Sequence, residues 1–176
     1  MINSFKEKLL YKFTKKYWKL INQKHGILNN FTVQKGLFKD LKLNKEQYWN
    51  SGDLGSKIYG FYEKDVQEII YKIVKKYKIK QFINIGSADG FFPIGFLRLK
   101  LFKNAICFEQ NKIGQKSIIQ NAITNKVLDK IKVYGEISSN NFKNDLVSKL
   151  QKSPSLILCD IEGYESVSYT HLRAHE

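Results

Sequence analysis

The sequence predicts an α/β protein built on a doubly wound, mostly parallel sheet, preceded by an N-terminal helical extension. Three observations carry that reading. Short β-prone apolar runs at 82–85, 105–108, 131–134 and 156–159 alternate with stretches of helix length. Each connection is long enough to return the chain for a parallel, right-handed crossover. The first run also stops at a small-residue turn, Gly86-Ser87-Ala88-Asp89-Gly90, and an apolar helical stretch follows at once.

Taken in order, residues 3–22 set Phe5, Leu9, Phe13, Tyr17 and Leu20 at helical spacing among lysines. This basic amphipathic helix is expected to pack against its own domain, with contact to a membrane surface as the alternative. Residues 23–57 are weakly patterned; a short helix is expected from Val33 to Leu41. Asn50, Ser51, Gly52, Asp53 and Gly55 mark a flexible loop able to fold over a ligand. A helix from Tyr62 to Tyr77 presents Val66, Ile69, Ile70, Ile73 and Val74, then leads into the first strand, where Phe82, Ile83 and Ile85 are apolar. Pro93 suits a first helical turn, and Phe96, Leu97, Leu99 and Leu101 return over the sheet. Strand Ala105–Phe108, helix Lys112–Thr124, strand Ile131–Tyr134, a helix near Asn141–Leu150 and strand Leu156–Cys159 complete the pattern.

A chain of 176 residues suits one domain with a single core. No apolar run approaches the ~18 residues needed to span a bilayer. Lysines interrupt the N-terminal apolar residues, so no signal peptide is read and the expected compartment is the cytoplasm. Cys107 and Cys159 lie in apolar strands and read as small buried hydrophobes, not as a disulfide or a metal site. Charge is uneven: residues 1–80 hold 18 basic against 7 acidic side chains, and residues 81–176 hold 12 against 9. Such an excess can mark nucleic-acid binding. No helix-turn-helix, RNP or zinc pattern accompanies it, so a lysine-rich solvated surface is favoured.

The turn after the first strand carries the chemistry. A strand, a small-residue turn and a helix N-terminus make a cofactor cradle, although the same glycines also suit a plain tight connection. Ala88 stands where the dinucleotide pattern G-x-G-x-x-G has its second glycine, and the G-x-x-x-x-G-K-[ST] phosphate loop is absent. Both NAD and nucleoside triphosphates are therefore disfavoured. Asp89 would repel phosphate but suits an amino group or a sulfonium, and S-adenosyl-L-methionine carries both. The expected cofactor-binding set is Asn84, Gly86, Ser87, Asp89 and Gly90, with Glu109, Gly135 and Glu136.

Glu109 ends the second strand, 23 residues beyond Gly86, close to the spacing at which an acid meets ribose hydroxyls. Gly135 and Glu136 follow the third strand, where an adenine edge would lie. Asp160 and Glu162 close the fourth strand, two apart and so on one face. They could orient an acceptor, take its proton or hold a divalent cation, or be ordinary exposed acids.

The segments NIGSADG, FEQN and LCDIEGYE, with YGFYEKDV upstream, resemble the class I S-adenosylmethionine-dependent methyltransferases, and most closely the FkbM-like group. The resemblance covers Tyr59 to Glu165. It implies an incomplete Rossmann-like methyltransferase fold over 59–165, after a basic helical extension and loop at 1–58. It also implies that Gly86, Ser87 and Gly90 cradle the methionine portion and that Glu109 holds the ribose. Asp160 would lie near the transferred methyl, as base for a hydroxyl acceptor, and Glu162 would support the acceptor side. The activity implied is O-methylation of a small molecule or glycan. The alternative is nucleic-acid binding or RNA methylation through the basic N-terminal segment. Residues 166–176, SVSYTHLRAHE, resemble a sequencing-adaptor read-through and read as a non-native tail, which implies a truncated and nearly inactive fragment. Within that tail His171 and His175 stand four apart, but Leu172 replaces the glutamate of H-E-x-x-H, so no zinc site is read there.

Overall fold

A computed structural model of the chain describes residues 5–46, 51–137 and 154–161. The expected helix at Asn141–Leu150, the second candidate acid Glu162 and the two tail histidines lie outside them. The chain forms two compact units, Met1–Lys64 and Asp65–Glu176. The first is more than an extension of the second.

In the first unit, helix α1 runs from Phe5 to Leu28, six residues past its expected end, and helix α2 from Leu54 to Ile58. Phe31, Val33, Phe38, Leu41, Leu43, Leu54 and Ile58 are all buried, so this unit has its own core where the sequence suggested one core for the whole chain. No helix forms over 33–41. Val33 and Leu41 face each other through backbone bonds (Val33 N–H to Leu41 C=O, 2.9 Å; Asp40 N–H to Val33 C=O, 2.8 Å), and Thr32 bridges Lys42 antiparallel. Gly36 and Asp40 take positive φ (80° and 67°), which bends the segment back on itself and is incompatible with a right-handed helix.

The expected flexible loop near residue 52 is also anchored. Leu54 and Ile58 are fully buried. Asn22 on α1 donates to the Gly52 carbonyl (3.2 Å) and accepts the Gly55 N–H (3.0 Å), fixing the start of α2.

The second unit is the parallel α/β part. Helix α3 (Lys64–Tyr77) precedes β1 (Gln81–Ile85), α4 (Phe91–Arg98), β2 (Asn104–Phe108), α5 (Lys112–Thr124), β3 (Ile131–Tyr134) and β4 (Ser155–Cys159). The buried stripe of α3 is Gln67, Ile70 and Val74; Ile69 and Ile73, expected on that face, are exposed. All strand pairs are parallel and the order is β3-β2-β1-β4, so the winding reverses direction between β1 and β4. This is the open, Rossmann-like arrangement the alternation of elements predicted.

Both neighbours of β1 shield it, and all five of its residues are buried, which explains a run without polar alternation. On one face Phe82 meets Phe96 of α4 edge-on (5.5 Å) and stacks on Phe102 (5.0 Å). On the other, Ile83, Ile85, Ile106 and Phe108 form a buried cluster joined by Tyr134, Ile137 and Ile161. Cys107 is buried as expected, but Cys159 is exposed. Among the described residues β4 pairs only with β1, so Cys159 sits on an edge strand and not in the sheet interior.

Candidate functional site

Four strand ends converge at one edge of the second unit. Gly86 to Gly90 follow β1, Glu109 follows β2, Gly135 and Glu136 follow β3, and Asp160 follows β4. Carboxyl ends of parallel strands at a reversal of strand order are where open α/β sheets bind ligands. The reversal here lies between β1 and β4, and Gly86 meets Asp160 across it. Asp160 N–H donates to the Ile85 carbonyl at 2.9 Å. A Cβ at Gly86 would overlap the carbonyl oxygen of Asp160, and Gly86 has φ +78°. The glycine is thus required by the chain's own β4 backbone. Gly90 caps α4 at φ +80°, and its missing Cβ leaves room for Ile94 and Ile118.

Four of the turn's five N–H groups are held within the chain, as is that of Phe91 just beyond it. Gly86 and Ser87 both donate to the Phe108 carbonyl at 3.0 Å, and Gly90 to the Ser87 carbonyl at 2.7 Å. Ala88 donates to Glu109 Oε2 at 2.9 Å, and Phe91 to Asp89 Oδ1 at 3.2 Å. A phosphate cradle needs backbone N–H groups aimed outward at the anion. Here five of them are turned inward, two of them onto carboxylates. That leaves few N–H groups of the turn to meet a pyrophosphate.

Glu109 is the organising side chain. It is buried, and its carboxylate spans two elements, with Oε2 on the Ala88 N–H and Oε1 on the Asn111 N–H, each at 2.9 Å. Its backbone is held as well: Glu109 N–H donates to the Tyr134 carbonyl (3.1 Å), and Gln115 Nε2 donates to the Glu109 carbonyl (2.7 Å). A carboxylate offers roughly four lone-pair positions, so two remain for hydroxyl donors.

The other candidates stand as follows. Asn84 is buried and donates to the Leu158 carbonyl of β4 (3.3 Å). Ser87 is buried and donates to the Asn84 carbonyl (2.8 Å). Burial pushes the Cys107 thiol up to about 12, a Ser87 contact offsetting part of the rise. The Asp89 side chain, expected to face a cationic ligand, is buried with Oδ1 on the α4 N-terminus. Glu136 and Asp160 are exposed and Gly135 half-buried.

Sequence reasoning assigned no role to three residues that hold the site. Asn111 caps α5, its Oδ1 accepting the Ile113 N–H at 2.9 Å. Its signal was present, an asparagine directly before a helical stretch. Gln115 and the buried Asn121, which donates to the Asp89 carbonyl at 2.8 Å, carried no such signal.

No protein-family model matches the chain, and no curated protein matches it. Among solved structures it is similar to a candidate caffeoyl-CoA O-methyltransferase from Staphylococcus aureus, at 17% identity over 47% of this chain and 40% of that one, TM-score 0.43. A candidate O-methyltransferase from Klebsiella pneumoniae is 13% identical over 62% of this chain and 48% of that one, TM-score 0.47. An O-methyltransferase family protein from Burkholderia thailandensis is 7% identical over 53% of this chain and 29% of that one, TM-score 0.41. The chain spans less than half the length of each of these proteins.

Proposed function

We propose that the second unit binds S-adenosyl-L-methionine and belongs to a methyltransferase acting on a hydroxyl of a small molecule or glycan. One observation carries the reading: Glu109 holds its carboxylate at a turn where four of five N–H groups are already used. Such a turn disfavours a phosphate-bearing cofactor and leaves acceptor positions for a ribose diol. The motifs NIGSADG, FEQN and CDIEGYE support the same assignment.

When bound, S-adenosyl-L-methionine supplies an electrophilic methyl group on a sulfonium. The chain's contribution is orientation and proton handling. Glu109 would accept from the sugar hydroxyls, the Gly86–Gly90 turn would hold the methionine side, and Gly135 and Glu136 would lie by the adenine. Asp160, across the strand reversal, would take the acceptor's proton, and Glu162 would support the acceptor side. Positioning would then supply most of the rate, because in-line transfer depends on alignment.

Calorimetry with S-adenosylhomocysteine and with NAD separates the readings. Binding of the first and none of the second is expected; the reverse would end the proposal. Asp160→Asn should leave S-adenosylhomocysteine affinity within severalfold, and loss of binding would take Asp160 out of the proton role.

A further inference from the structure

Among the described residues, the tract of α1 from Leu10 to Leu20 buries no side chain. Every residue from Leu10 to Leu20 is exposed, including Leu10 (65%), Tyr11 (53%), Phe13 (63%), Tyr17 (63%), Trp18 (58%) and Leu20 (61%). An amphipathic helix that packed on its own domain would hide that set. Among the described side chains of α1, the first buried one is Asn22.

The two chemistries are separated around the helix. At roughly 100° per residue, the six apolar side chains fall within one half of the circumference, and Lys12, Lys15, Lys16 and Lys19 fall within the other. No acidic residue interrupts residues 10–20. Thr14, the one polar residue on the apolar half, turns its hydroxyl onto the Leu10 and Tyr11 carbonyls at 3.0 Å each. Trp18 and Tyr11 lie at the border of the two halves, and Lys15 Nζ is 5.9 Å from the Tyr11 ring centroid. Amphipathic rings at such a border suit the headgroup level of a bilayer, with lysines reaching outward to anionic lipid.

We propose that residues 10–20 of α1 seat the protein on an anionic phospholipid surface, lying in the interface and not crossing it. Among the described residues no helix is long and apolar enough to cross a membrane. Charge complementarity selects the anionic surface, and the apolar half selects lipid over nucleic acid. A polyanion would engage the lysines and leave Leu10, Phe13, Tyr17 and Leu20 in water.

The test uses the full chain carrying Trp49→Phe, so that Trp18 alone reports. It is mixed with vesicles of phosphatidylcholine, or of phosphatidylcholine with about 30% phosphatidylserine. Expected are co-sedimentation roughly tenfold or more tighter on the anionic vesicles, a blue shift of Trp18 emission, and weakening by salt. Lys12→Glu with Lys16→Glu, and separately Phe13→Ser with Tyr17→Ser, should each abolish binding; the tract is exposed, so neither pair is expected to disturb folding. Four results would overturn the proposal. These are no vesicle binding, binding indifferent to the Phe13 and Tyr17 changes, and preference for single-stranded RNA over anionic vesicles. The fourth is Trp18 emission already blue-shifted without lipid, which would mean the helix is covered by its own chain or a second copy.

Discussion

Glu109 Oε2 and the Ala88 backbone N–H stand 2.9 Å apart, so one carboxylate ties the end of β2 to the turn that follows β1. With the second bond to Asn111, Glu109 is structural before any ligand arrives. Hydrogen bonds to a charged acceptor contribute more than neutral ones, so Glu109→Ala should destabilise the second unit by about 2–3 kcal/mol. Urea unfolding followed by circular dichroism measures this. An unchanged midpoint would mean that the turn does not depend on Glu109.

Two of the turn's three positive-φ positions, Gly86 and Ala88, should respond to substitution in opposite directions. Gly86→Ala puts a methyl group into the Asp160 carbonyl at a positive φ and should cost more than ~2 kcal/mol. Ala88 has φ +47°, so Ala88→Gly should stabilise by about 1 kcal/mol. Thermal unfolding of both variants checks the pair; equal effects of one sign would contradict this turn geometry.

Cys107 gives a pH dependence. Its thiol is raised from an ordinary 9.0 to about 12 by burial, so between those values the unfolded chain releases a proton that the folded chain keeps. Stability is fully present below about pH 9 and falls as pH rises, by ~1.4 kcal/mol per pH unit from this group. Cys107→Ala removes that contribution. The stability difference between the original chain and the variant should therefore shrink by about 2 kcal/mol from about pH 8 to about pH 10.5. A difference constant with pH would contradict the assignment.

The α/β part was readable because β1 and β2 are short apolar runs whose burial leaves no polar alternation, and because each is followed by a turn or cap with its own chemistry. Of the first unit, helix α1 was readable and the core was not. That core uses Val33, Phe38 and Leu41, a spacing that fits a helix, but Gly36 and Asp40 turn it into a backbone-paired bend. At the site, strand ends could be located from the pattern. What the side chains do there depends on tertiary neighbours, as Asp89 shows by turning onto the α4 N-terminus. The exposure of Cys159 follows from strand order, which residue type does not reveal.

Asn121 reaches the turn from α5 and should act on it without touching a ligand. Asn121→Ala leaves the Asp89 carbonyl without this donor and should cost about 1–2 kcal/mol. Asn121→Asp should cost more, because it sets an acceptor against an acceptor. If the aspartate variant is the more stable of the two in urea unfolding, the bond is not formed as described.

The proposed role of Glu109 is to meet sugar hydroxyls with the lone pairs its backbone partners leave free. Calorimetry of S-adenosylhomocysteine and its 2′-deoxy analogue, on the original chain and on Glu109→Gln, tests it as a double-mutant cycle. Loss of the hydroxyl should weaken binding about tenfold in the original chain and no more than about twofold in the variant. Equal penalties in both proteins, or no binding of S-adenosylhomocysteine to the original chain, would contradict it.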